Sequence, residues 1–391
     1  MRLFFNILLP IFFIACSAKN HPSKGSQFLK VNLSVDSSSS ESFEKISSYF
    51  RNRGKANSFN GVVLFAEKGK IVYRETFGFA NFKNKTPLQT DSQFQLASVS
   101  KTFTATAISI LKQSGKLSYS DDIRKFIPKF PYEGITISMM LSHRSGLSNY
   151  MYFCDKLLPK EKKEKGINNK DVIELIIRSK PKQNYPPDKK YYYSNTNYLL
   201  LASVIEIVSG KSYEQFLKDE IFDKTGMKNT LVYNKNSSPE FPSEVIGYKN
   251  LKYEAENSYL NGIVGDKGIY STVDDMFIFD QALRQGILID KNEMGSIYTP
   301  RHPEIKVKDN YGYGWRIHIK ENGGKIVYHG GWWKGFRSYF IRDLDSDKTI
   351  VLLKNINLGG RIRLQELLKL FDIENEEDEN IINELDSLSA N

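Results

Sequence analysis

Strand-like runs lie near both ends of this chain, and a long stretch of helix and loop character separates them. Residues 61–66 and 71–80 flank Glu67-Lys68-Gly69-Lys70, a hairpin signal. Far downstream, 313–319, 325–329, 336–342 and 349–354 form a second strand group. They are separated by Asn322-Gly323-Gly324, a Trp332-Trp333-Lys334-Gly335 turn and Asp345-Ser346-Asp347, which predicts an antiparallel meander. Between the groups lie the apolar helix 98–114, closed by Gly115, and the amphipathic stretch 196–209, closed by Gly210. Further helices are predicted over 42–53 and from about Arg361. No internal repeat is visible. One arrangement accommodates this order: an α+β fold in which both ends supply one antiparallel sheet covered by helices. The block from about 116 to 264 is then an inserted, mostly helical lobe. The cleft between lobes is the default site.

The rest of the sequence bounds what surrounds that fold. The 391 residues are 40% hydrophobic and 26% charged, which excludes a disordered or collagen-like chain. The mean hydropathy of -0.43 argues against a multi-span membrane protein. Met1-Arg2, an apolar run over 3–14 and Ala15-Cys16-Ser17 have the form of an export signal. As a helix that run reaches about 18 Å, short of the ~30 Å hydrocarbon core. Phe13-Ile14-Ala15-Cys16 is similar to a bacterial lipobox, although Phe13 stands where leucine is usual. The expectation is a signal over 1–15, lipidation at Cys16 and a membrane-anchored, exported protein. Polar residues 16–41 read as a flexible tether, and acidic 372–391 as a solvated tail. Cys154 is then a spare thiol, and no intrachain disulfide is expected.

The net charge of +10 raises nucleic acid as a partner. The densest basic stretch, 156–170, also holds Glu161 and Glu164, and it reads as a solvated loop. No basic recognition helix or aromatic-interleaved basic strand is present, so no nucleic-acid partner is expected. His143 reads as structural, His21 lies in the tether, and His302 and His318 lack ligand-spaced acidic or histidine neighbours. No metal or other cofactor is expected, and the protein is read as a monomer.

Three segments carry chemistry. Ser98-Val99-Ser100-Lys101 places a hydroxyl and an amine three apart at a helix start, where they can touch. Free N–H groups at that end favour an oxyanion, and a desolvated lysine can act as a base. The same spacing occurs at Ser42/Lys45, Ser109/Lys112 and Ser179/Lys182, but only Ser98 opens the apolar helix. In Tyr193-Ser194-Asn195 the outer side chains point the same way in an extended segment. A phenol beside Lys101 is expected to have its phenolate stabilised and to serve as a second base or proton shuttle. Asn195 can hold a substrate amide. His329-Gly330-Gly331 ends a strand, and its glycines let a ligand approach.

In order and surroundings, these motifs resemble the serine β-lactamase and penicillin-binding protein superfamily, in its class C β-lactamase-related branch. The resemblance covers about residues 43–373. It includes Phe94-Gln95-Leu96-Ala97, Leu141-Ser142-His143-Arg144-Ser145-Gly146-Leu147, Gly226-Met227-Lys228-Asn229-Thr230, Gly268-Ile269-Tyr270-Ser271-Thr272 and Gly335-Phe336. It implies a five-stranded antiparallel sheet flanked by helices, and an acyl-serine mechanism at Ser98. Lys101 and Tyr193 share the proton transfers, with the order left open. The N–H groups of Ser98 and Trp332 form the oxyanion hole, and Asn195 positions substrate. The third motif departs from the usual Lys-Thr-Gly or Lys-Ser-Gly. With His329 and Gly330 there, less pull on a substrate anion is expected. Esters, amides or amino-acyl peptides are then better substrates than β-lactams. The alternatives are a D-alanyl-D-alanine carboxypeptidase or weak β-lactamase, and a catalytically silent cell-wall binding protein.

Overall fold

The computed structural model describes residues 29–36, 42–233, 243–251, 253–304, 309–357 and 362–374. The signal segment 1–15, the lipidation position Cys16 and the acidic stretch beyond 374 lie outside the described residues.

β1 (Gly61–Glu67) and β2 (Lys70–Phe77) form the predicted hairpin. The second strand group comprises β3 (Asp309–Tyr311), β4 (Arg316–Ile319), β5 (Lys325–Trp333), β6 (Phe336–Asp343) and β7 (Lys348–Lys354). The two groups meet where β1 pairs with β7, from Gly61 opposite Lys354 to Glu67 opposite Lys348. Among the described residues the sheet is seven-stranded and antiparallel, in the order β2-β1-β7-β6-β5-β4-β3. This corrects the expected five strands: short β3 and β4 extend the sheet beyond β5. They lengthen the wall next to the third motif, which matters below.

β1 and β7 are apolar on both parities because both faces of the sheet are covered. Val63, Phe65, Ile350 and Leu352 pack against Ile46 and Phe50 of α1 (Phe43–Lys55), and against Leu367 near the C-terminus. Val62, Leu64, Val351 and Leu353 join the opposite core. That core includes Phe103 of α2 (Ser100–Gln113) and residues of three helices in the middle block. These are α3 (Tyr150–Leu157), α4 (Asn169–Ser179) and α5 (Asn195–Ser209). It also includes Phe279 of α6 (Val273–Arg284), which stacks on Phe103 with ring centroids 4.0 Å apart. Both α2 and the first eleven residues of α5 are buried almost all round, as their low charge demands. The sheet side and the helical block thus share one apolar core. α7 (Leu364–Leu370) completes the cover over the other face.

Two terminal expectations change. Residues 29–36, assigned to a flexible tether, dock on the body. Leu29, Val31 and Leu33 pack on the core, and Val35 bridges Ile71 beside β2. The cause is an alternating apolar pattern, Leu29-Lys30-Val31-Asn32-Leu33-Ser34-Val35, which suits an extended segment on a sheet. The acidic stretch also begins folded. Asp372 accepts hydrogen bonds from Ser42 Oγ at 2.6 Å and Lys45 Nζ at 2.7 Å. This pins one of the four Ser-x-x-Lys copies to a structural role.

Candidate active site

Ser98 lies in a single 3-10 turn, Ala97–Val99, that leads directly into α2. The sequence predicted one helix from 98. The tighter entry arises because Ala97 has φ 49°, a left-handed conformation unusual for a residue with a Cβ. The surroundings hold it there. Leu96 N–H donates to Ile269 O at 2.8 Å, and Ser338 Oγ donates to Leu96 O at 2.6 Å. Phe94 and Gln95 pair with Ser271 and Tyr270.

Lys101 sits one helical turn on, with no exposed surface. Its Nζ donates to Ser98 Oγ at 3.1 Å, Asn195 Oδ1 at 2.8 Å and Asp266 O at 3.0 Å. Burial pushes its pKa down to about 7; nearby Asp266 opposes the shift, and Arg316 adds to it. The neutral amine is therefore accessible near neutral pH while within reach of the serine oxygen.

Tyr193 precedes α5 and shares a hydrogen bond with Ser98. Its ring lies 4.2 Å, centroid to centroid, from His143. His143 is buried, in the left-handed region at φ 58°, and its Nδ1 accepts from Ser194 N–H and Asn197 Nδ2. It braces the tyrosine, which agrees with its reading as structural. The expected stabilised phenolate is overturned: burial raises the Tyr193 pKa, outweighing the Ser98 bond and the Arg316 charge. The Lys101 ammonium lies 5.0 Å from the centre of the ring. Asn195 spends its amide oxygen on Lys101, and its Nδ2 contacts Met151 Sδ at 3.5 Å.

The third motif divides. Gly330, Gly331 and Trp332 line a cleft of about 260 Å³ together with Ser98, Tyr193 and Asn195. His329 does not: it is buried at 1% exposure, behind the strand surface. Its Nδ1 donates to Gly330 O at 2.7 Å, and its Nε2 accepts from the Tyr311 hydroxyl at 3.1 Å. Burial, with Arg316 and Lys101 nearby, holds its pKa well below the usual range, so the ring is neutral. It is therefore corrected from a substrate contact to an internal brace. The glycines divide too. A Cβ at Gly331 would sit 2.3 Å from Leu96 O and 2.4 Å from Ser338 Oγ, so β5 could not lie against the serine turn. At Gly330 the nearest atom is a movable Tyr339 ring carbon at 3.1 Å. Gly331 thus serves protein packing rather than ligand approach. Trp332 stands half exposed on the rim, its Nε1 donating to Asn357 Oδ1 at 3.2 Å.

Sequence reasoning missed four charged residues in the cleft: Asp266, Lys267, Arg316 and Arg337. Lys267 and Asp266 are buried, with Lys267 Nζ 3.6 Å from Asp266 Oδ1. The Tyr150 hydroxyl donates to Asp266 Oδ2 at 3.0 Å and accepts a hydrogen bond from Lys267. Burial lowers the Lys267 pKa to about 8. Their signal was a charged pair between Gly265 and Gly268, both at φ near +100°, of which Gly265 lies close against Tyr198 and Ala202 of α5. Arg316 on β4 is only 4% exposed, and its signal was a lone cation in the apolar run Trp315-Arg316-Ile317. Arg337 lines the cleft as well. The expectation of weak anion attraction rested on the third motif alone, and these neighbouring cations remove its premise. Outside the cleft, the sequence found no acidic partner for His318. The fold brings Asp309 to 3.0 Å and Glu374 to 2.8 Å of its ring nitrogens.

Known proteins are similar to this chain in sequence and fold. The β-lactamase family pattern matches residues 46–371. Penicillin-binding protein 4* of Bacillus subtilis (strain 168) is 38% identical over 319 residues, which cover 78% of this chain and 70% of that protein. Teichoic acid D-alanine hydrolase of Staphylococcus aureus (strain MRSA252) is 26% identical over 85% of this chain and 78% of its own length. A penicillin-binding protein from Bacillus halodurans superposes with a TM-score of 0.68 at 25% identity, over 79% of this chain and 96% of that one. With the fold, the pattern and the relatives in agreement, this chain belongs to the β-lactamase family and is a serine hydrolase of the β-lactamase-related, penicillin-binding-protein-like kind.

Proposed function

We propose that Ser98 is the nucleophile of an acyl-serine hydrolase acting on esters, amides or peptides, and that Lys101 is its first base. The observation that carries this is the buried Lys101 amine, 3.1 Å from Ser98 Oγ with its pKa pushed down to about 7. Ser98 Oγ attacks the substrate carbonyl carbon as its proton passes to neutral Lys101. The resulting oxyanion is met by the N–H groups of Ser98 and Trp332. The C–X bond then breaks, and the proton returns to the leaving atom through the Tyr193 hydroxyl. Tyr193, raised in pKa by burial, is suited to relay a proton as a neutral phenol rather than to start as a base. Water attacks the acyl-serine by the reverse route. Asn195, holding Lys101 in place, orients both the amine and the substrate.

A relative named for hydrolysing D-alanine from teichoic acid supports D-amino-acyl esters as one substrate class. The chain is further proposed to be exported by the signal over 1–15 and anchored through a lipid on Cys16. The support is the sequence pattern there. A silent binding protein is disfavoured, because binding alone has no use for a lysine tuned towards neutrality against a serine.

The test is covalent labelling with a fluorophosphonate, read by intact mass. Wild type gains one adduct, and Ser98→Ala gains none while keeping its melting temperature. Equal labelling of both would remove the mechanism.

A further inference from the structure

The cleft that holds Ser98 has a second buried amine, Lys267, which the acyl-serine chemistry leaves unused. It follows Asp266 in a segment tied to the helix of Lys101 at both ends. Gly265 O accepts from Thr104 Oγ1 at 2.7 Å, and Ile269 N–H donates to Ser100 Oγ at 3.3 Å. Asp266 meets the two amines with different atoms. Its backbone carbonyl accepts from Lys101 at 3.0 Å. Its carboxylate turns to Tyr150 and Lys267: Oδ2 accepts from the Tyr150 hydroxyl at 3.0 Å, and Oδ1 lies 3.6 Å from Lys267 Nζ. Lys267 also donates to the Tyr150 hydroxyl, and its Nζ lies 4.9 Å from the centre of the Trp333 ring. The carboxylate that attracts the Lys101 proton is thus already matched by a cation.

Among the described residues, the other groups facing Lys101 supply no second anion. Arg316 on β4 repels its charge. Tyr193 and Tyr198 present rings at 5.0 and 5.5 Å, and burial keeps both phenols protonated. His143, and His329 on β5, are held neutral by burial. Beside Lys267, burial pushes the Cys154 thiol of α3 up to about 12, so it too is uncharged.

We propose that Lys267 is a positioning residue of this reaction: by holding the Asp266 carboxylate in an ion pair, it leaves Lys101 able to act as the neutral base towards Ser98. Without the Lys267 charge, a buried carboxylate would be left with Lys101 to compensate it, and Lys101 would keep its proton. The inference rests on Lys101 being the base, and it adds what lets that base lose its proton near neutral pH.

The test is the rate of labelling by an uncharged fluorophosphonate as a function of pH, with melting temperatures as a control. In wild type the rate should rise through about 7, the value for Lys101. Lys267→Met should move that limb up by about one pH unit or more, with labelling recovered at higher pH. At pH 7 this reads as a loss of about tenfold. Lys267→Arg keeps the charge and should hold the limb near its wild-type position. Asp266→Asn should move the limb down, and the double variant Asp266→Asn, Lys267→Met should return it close to wild type. Slower labelling of Lys267→Met at every pH with the limb in place would make Lys267 merely structural and overturn the assignment. If Lys267→Met does not fold, an Asp266→Asn limb that stays at its wild-type position overturns it equally. A limb that persists at full rate in Lys101→Met defeats Lys101 as the base instead, and the two failures are told apart.

Discussion

Lys101 and Arg316 are both buried cations in one cleft, and burial treats them in opposite ways. The ammonium of Lys101 can shed its proton, so desolvation drives it down to about 7 despite the opposing pull of Asp266. The guanidinium of Arg316 cannot: its ordinary pKa lies so far above the working range that it stays charged even though burial works against it. One wall of the cleft therefore holds a cation that switches, and the other a cation that is fixed. A group that must exchange a proton with Ser98 belongs on the first wall. The two also interact, since the fixed charge helps keep the switchable one neutral.

The hardest blow to this comparison falls on the switching cation. Lys101→Met should lower acylation by about a hundred- to ten-thousandfold while the chain still folds, because methionine fills much of the same buried space. In wild type, the pH profile of kcat/KM should rise through about 7 and then level, since the base works only when deprotonated. In Arg316→Gln the same limb should move to higher pH: removing a neighbouring positive charge makes the Lys101 ammonium easier to keep. A limb that stays in place would mean that the two walls are electrostatically independent.

The next contrast lies within the strand wall, between adjacent glycines. Gly331→Ala drives a methyl into Leu96 O, and the strand must withdraw from the serine turn. Displacement on the ångström scale costs about a hundredfold in rate. Gly330→Ala meets only a ring that can swing, and it should cost less than about threefold. Steady-state kinetics on the two variants, with melting temperatures as a control, checks this. Equal losses would mean that the wall is set by something other than the close approach at Gly331.

What could be read from the sequence follows the range of the interaction. Ser98 and Lys101 are three apart, so their contact is nearly dictated by helix geometry and needed only the right helix to be chosen. Tyr193 and Asn195 lie two apart ahead of an evident helix. The pairing of β1 with β7 followed from strand runs at both chain ends. Other features resisted reading because distant residues settle them. The direction in which His329 points depends on Tyr311 and the Gly330 carbonyl. The strand that carries Arg316 was legible in the run 313–319, but its place against the site depends on pairing with β5 and with short β3, which carries little signal of its own. The strained φ of Ala97 is enforced by Ser338 and Ile269, far away in the chain. Residues 29–36 were legible by their alternation, but a polar, serine-rich surrounding masked it.

The smallest effect is predicted at the residue that the motif made most prominent. His329 bonds Tyr311 and Gly330 and lies behind the cleft surface, so replacing it should be felt in stability before chemistry. His329→Leu leaves the Tyr311 hydroxyl without that acceptor and the Gly330 carbonyl without that donor. The cost is about 1–3 kcal/mol, seen as a lower melting temperature. Because the imidazole is already neutral, its loss removes no charge from Lys101 or from a bound anion, so kcat/KM at temperatures well below melting should change less than about fivefold. A His329→Leu variant that folds stably but loses much more activity than that would return His329 from the interior to the catalytic surface.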